Sequence, residues 1–85
     1  MLTNKVREVK RMNLNEVNLE EEYIIKDIVT EDEELDAFLF SLGCYSGEGI
    51  TVITRKKRSC VVAIKDGRYN IDSGLAQAIH VDKNV

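Results

Sequence analysis

The chain has 85 residues, 44 % of them hydrophobic, which is the size of one small domain. Such a domain buries only about 60–65 % of its unfolded surface, which excludes a deep catalytic cleft. A net charge of −3, with no apolar run near the ~20 residues that span a bilayer, excludes a transmembrane protein and a generally basic nucleic-acid binder.

Residues 1–13 are polar and basic, with Lys5, Arg7, Lys10 and Arg11, and no apolar signal-peptide core follows them. They are expected to form a flexible N-terminal extension in a cytoplasmic protein. The domain is expected over 14–82, with 83–85 as a tail, although Met12 is a second place for it to begin. Leu14, Val17 and Leu19 predict a short turn pinning one edge of the core, and Glu20-Glu21-Glu22 a solvated run. Residues 23–29, β-branched and aromatic, predict the first strand.

Thr30 and Glu33 have the spacing of a capping box, and acids crowd the turn that follows. Leu35, Phe38, Leu39 and Leu42 then recur as one apolar stripe, so a helix is expected over 31–42. Phe40 falls off that stripe. Gly43 supplies the helix stop, and Ser46-Gly47 a turn into the next strand. Further strands are expected at 50–55, 60–65, 68–72 and 79–81. Arg55-Lys56-Lys57-Arg58 forms a basic hairpin tip. The nearly all-apolar 60–65 reads as covered on both faces, and Asp66-Gly67 as a type I′ turn. Residues 73–78 are too short for a stable helix and suit one turn. The class is mainly β, a small α+β domain. Five short strands with one helix inserted after the first suggest a barrel.

Charge is segregated along the chain. Residues 1–11 carry four basic and one acidic side chain, residues 12–48 one and eleven, and residues 49–85 seven and three. A dipole of this kind favours oriented docking over chemistry. No phosphate loop or nucleophile elbow is present, so no enzyme activity and no catalytic residue are expected. Cys44 and Cys60 lack metal-ligand or redox spacing and read as two reduced thiols. His80, the sole histidine, reads as a solvent-facing strand residue. No dedicated metal site and no cofactor are expected, although the acidic surface can attract ferrous or other divalent ions weakly. The basic tip reads as a solvated, aggregation-resistant edge or as a docking surface for an acidic partner. It lacks the interleaved aromatics of a nucleic-acid surface.

Leu39-x-x-Leu42-Gly43-x-x-x-Gly47-x-x-Ile50-x-Val52, together with Ala76-x-x-Ile79-x-Val81, resembles the FeoA family of ferrous iron transport. The resemblance covers about residues 14–82. It departs from the family at Phe38, Ser46, Asp72 and the 55–58 loop. It implies an SH3-like barrel with a helical insertion, as in the C-terminal domain of iron-dependent repressors. It also implies a cytoplasmic accessory protein whose partner is the membrane GTPase permease FeoB. Two other readings stand beside this: a metal-responsive regulatory domain acting alone, and a weak transition-metal carrier. For the partner surface the candidates are Phe40, Tyr45, Arg55, Lys56, Lys57 and Arg58. Gly43, Gly47 and Gly67 are the structural glycines.

Overall fold

A computed structural model describes residues 12–83. The expected extension over 1–11 and the last two residues of the expected tail lie outside them. The chain forms β1 (Met12–Asn13), β2 (Glu22–Ile28), α1 (Glu33–Ser41), β3 (Gly49–Arg55), β4 (Ser59–Ile64), β5 (Gly67–Asp72), α2 (Ser73–Ala78) and β6 (Ile79–Lys83). The strands make one antiparallel sheet in the order β1-β6-β2-β3-β4-β5.

The mainly β, α+β architecture and the single helix after the first long strand are as expected. An extra strand, β1, arises because Met12 and Asn13 pair with Val81 and His80. The sheet is barrel-like but not closed by hydrogen bonds, since β1 and β5 do not pair. α2 packs against both of these strands. Leu14 N–H donates to the Ala76 carbonyl (3.3 Å), and the Asn15 side-chain amide to the Ser73 carbonyl (3.0 Å). Those long-range bonds, with the Asp72 carboxylate capping Leu75 N–H at 2.7 Å, make residues 73–78 a helix where length alone predicts only a turn.

The core is apolar throughout: Leu14, Val17, Tyr23, Ile25, Leu39, Cys44, Ile50, Val52, Cys60, Val62, Ile64, Ile71, Ala76, Ile79 and Val81 are buried. Tyr23 satisfies its buried tip by accepting from Asn18 N–H (3.1 Å). β4 fully buries only alternate residues, Cys60, Val62 and Ile64, and its second face is half-buried, less covered than its apolar run suggested.

Three local expectations are corrected. Asp32, not Thr30, caps α1: its Oδ1 accepts from Glu34 and Leu35 N–H, while Thr30 Oγ1 accepts from Asp32 N–H one step earlier. The β4–β5 connection is Lys65-Asp66, with Gly67 already paired to Ile64, so Gly67 opens β5 instead of making the turn. The apolar stripe of α1 is mostly unburied. Leu39 is inside, whereas Leu35 and Phe38 are 37 % and 50 % exposed.

Candidate functional site

The helix end builds the site. Gly43 N–H donates to the Phe40 carbonyl (3.0 Å) and Cys44 N–H to that of Leu39 (2.9 Å), a Schellman closure with Gly43 at φ 90°. The reversal brings Tyr45 back onto Phe40, with ring centroids 4.9 Å apart and planes tilted by 39°. Phe40 keeps 65 % of its surface exposed, so this aromatic pair faces solvent. Phe40 and Tyr45, separate candidates in the sequence, are thereby in direct contact.

The turn after β4 supplies the opposite wall. Lys65 adopts φ 54°, uncommon for a residue with a side chain. Its stem crosses Gly43 so closely that a Cβ there would lie 2.9 Å from Lys65 Cε. Its ammonium reaches 5.4 Å from the Tyr45 ring centroid and 3.1 Å from Glu48 Oε1. The Glu48 carboxylate, and after it the Tyr45 hydroxyl, hold the Lys65 pKa above the usual lysine value. Tyr69 folds over Gly67, where any Cβ would strike its ring, which gives that glycine its structural reason. Phe40, Tyr45, Lys65 and Tyr69, with Leu42 and Ile64, line an open depression of about 700 Å³.

Gly47, at φ 96°, makes the following turn. Its N–H donates to the Ile25 carbonyl (2.8 Å), and Ser46 Oγ donates to Lys26 O (2.9 Å). Those bonds anchor the turn where β2 slips register against β6, between Ile25 and Asp27.

The basic tip is divided. Arg55, exposed like its neighbours, is tied down: its Nη2 donates to the carbonyls of Leu14 and Val17 at 2.9 Å each, fastening the 14–19 turn. Lys56, Lys57 and Arg58 stay exposed, on a hairpin closed by Lys56 N–H to the Ser59 carbonyl (2.7 Å). This tip and the aromatic depression lie at opposite ends of β4, about 20 Å apart at ~3.3 Å per residue. The structure therefore joins Phe40 with Tyr45 and separates both from Lys56, Lys57 and Arg58.

Metal-ligating chemistry is poorly served. Burial pushes the Cys44 thiol up to about 11 and raises Cys60 as well, the latter opposed by the nearby Arg55 charge. His80 is not freely solvent-facing as its strand position suggested. Its Nδ1 lies 2.9 Å from Asp27 Oδ1, and its side chain is 22 % exposed. Among the described residues no group of three or more His, Cys, Asp or Glu side chains converges on a point. No helix there is long and apolar enough to cross a membrane.

Lys65 and Tyr69 were not singled out from the sequence. A lysine with positive φ leaves no mark in the sequence, and its partners Tyr45 and Glu48 lie on another element.

The family model described as the FeoA domain matches residues 12–83. No curated protein matches the sequence. Among solved structures, the fold is similar to that of an iron uptake regulatory protein (FeoA), with TM-score 0.76 and 22 % identity over 86 % of this chain and 97 % of that one. It is also similar to Stenotrophomonas maltophilia FeoA complexed with zinc, described as a prokaryotic SH3 domain protein and suggested to be a ferrous iron transport activating factor (TM-score 0.73, 18 % identity, 84 % and 89 % covered). A third likeness is to T. acidophilum IdeR, with TM-score 0.78 and 22 % identity over 94 % of this chain but 37 % of that one. These likenesses establish the SH3-like fold.

Proposed function

The chain belongs to the FeoA domain family, and from that premise we propose that it is a non-enzymatic docking module of ferrous iron transport. Its partner is the cytoplasmic part of a FeoB-type GTPase permease, and it acts in the cytoplasm without inserting into the membrane or binding nucleic acid. The observation that carries this reading is the exposed Phe40–Tyr45 pair beside Lys65, on a domain whose core makes no use of those rings. Aromatic side chains rimmed by polar groups are the usual anchors of protein interfaces. The basic tip, 20 Å or so distant along β4, steers encounter and does not hold the complex.

Binding kinetics against the permease's cytoplasmic part at two salt concentrations test this. Phe40→Ala is expected to speed dissociation by about tenfold or more. Charge reversal at Lys56 and Lys57 is expected to slow association and flatten its salt dependence. If both variants stay folded and bind like the parent, the surface is misassigned.

A second reading, a metal-responsive regulatory domain acting alone, draws on the fold match to a manganese-dependent transcriptional repressor, of which this chain spans 45 %. The two readings separate on metal. The docking module needs none, and the raised thiols and the Asp27-held imidazole offer no ready ligand set. Anaerobic calorimetry is expected to show no one-to-one ferrous or zinc binding tighter than roughly 1 μM. An isotherm abolished by Cys60→Ser or His80→Ala would favour the regulatory or carrier reading.

A further inference from the structure

Among the described residues, β5 is the last strand of the sheet and pairs with β4 alone. The ladder between them runs without a register shift from Ile64↔Gly67 to Ser59↔Asp72. The two-residue connection makes Ile64 and Gly67 a hydrogen-bonded pair, so Gly67, Tyr69 and Ile71 turn their backbone groups toward β4. Ser73 N–H, donating to the Arg58 carbonyl at 2.8 Å, continues the same phase. The N–H and C=O of Arg68 and Asn70, and the N–H of Asp72, therefore point away from the sheet, where no described strand meets them. The side chains of these three residues are exposed, on the face opposite Ile71.

Open sheet edges are usually guarded by a proline, by a bulge or by charge. β5 has no proline, and its ladder has no bulge. Its charges are of opposite sign, Arg68 and Asp72, placed symmetrically on either side of Asn70. Such an edge is self-complementary. In an antiparallel pairing centred on Asn70, each Arg68 stands directly across from Asp72 of the other chain. On the second face Tyr69 stands across from Ile71, which is already buried in its own chain's core, so the exposed Arg68–Asp72 face carries the complementarity. The register is also the one that meets the outward backbone groups, because Asn70 faces Asn70 in a hydrogen-bonded position.

We propose that β5 is a homodimerisation edge, where a second copy of this chain adds its own β5 about a two-fold axis at Asn70 and makes one continuous sheet. The contact is a single strand pair, well below the ~1,600 Å² of a standard interface, so the dimer is weak and concentration-dependent. It shares Tyr69 with the rim of the aromatic depression but uses neither Phe40 nor Tyr45.

Sedimentation equilibrium of the full chain over roughly 10 μM to 1 mM tests the proposal. A reversible monomer–dimer equilibrium is expected in that range, weakening as salt is raised. Arg68→Asp sets acid against acid at both ends of the register and should weaken the dimer about tenfold. Asn70→Pro removes an outward N–H that makes no bond to β4, so the fold should survive while the dimer is lost. Mixing Arg68→Asp with Asp72→Lys chains should restore a heterodimer, since each mismatch then meets its opposite. Melting curves check each variant; Arg68→Asp and Asn70→Pro leave the α2 cap untouched. A chain that remains monomeric to 1 mM or so overturns the proposal and makes the edge charges a guard. A dimer that persists in both Arg68→Asp and Asn70→Pro overturns it too, by placing the contact on another face.

Discussion

Gly43 and Gly47 both hold left-handed backbone, at φ 90° and 96°, but for different reasons. A Cβ on Gly47 meets nothing within 4 Å, so only the backbone demands glycine there. Gly47→Val is expected to cost about 1–3 kcal/mol in a denaturant titration, whereas D-alanine at the same position should be tolerated. At Gly43 the Lys65 stem adds a steric demand. Both glycines were legible as punctuation between helix and strand; the Lys65 crossing was not, because it depends on a turn some twenty residues later in the chain. Cys44 carries a second residue-scale consequence. Its folded thiol titrates at about 11, against an ordinary value of 9.0. Below the ordinary value both states are protonated, and stability is unaffected. Above it the unfolded chain ionises first, so stability falls as pH rises through that window, by roughly 2 kcal/mol at its upper end. Lys65, raised by Glu48 and Tyr45, loses its contribution in the same direction as pH rises past the ordinary lysine value. Urea midpoints measured from neutral to alkaline pH should show the fall, and Cys44→Ala, less stable at neutral pH, should show a shallower one.

At the scale of elements, α1 is the part of the fold least secured by packing. Leu39 is its one buried residue, and both of its phenylalanines are half-exposed or more. Its stability therefore leans on its ends, the Asp32 cap and the Gly43 closure. Asp32→Ala is expected to destabilise by about 1 kcal/mol, and the amides of α1 should exchange faster than those of β3 and β4. Native-state hydrogen exchange reads both, and equal protection across helix and sheet would contradict the account. The existence and bounds of α1 were legible to within two residues from its caps. Its burial was not, because a 3.6-residue stripe says which side is apolar and nothing about what waits to cover it. Here α2, with fully buried Ala76, takes the place across the open sheet. Six residues are too few to hold a helix alone and gave no sign of that role; only the bonds made by Leu14, Asn15 and Asp72 reveal it.

At the scale of the molecule, the order of long strands and turns was legible from alternation and punctuation. The added strand β1 was not, since two residues carry no period. Of the candidate surface, the aromatic half was legible as an apolar residue off the helical stripe, and its coherence came from the fold. The basic half proved separate, with Arg55 committed to carbonyls of its own chain. Groups so far apart should act independently, so combining Phe40→Ala with the Lys56 and Lys57 reversals should change the permease affinity by the product of the separate effects. The sheet order also bears on how the protein is made. β2 lies between β3 and β6, and Tyr23 and Ile25 find partners in Lys83 and Val81 of the last strand. A nascent chain emerging from the ribosome can build β3, β4 and β5 by local hairpins, but β2 keeps one bare, apolar-flanked edge until β6 arrives. Long-range pairings of this kind fold slowly and late. The sheet is thus completed only once β6 has been made, and until then the unfinished edge of β2 is what a chaperone would find to hold.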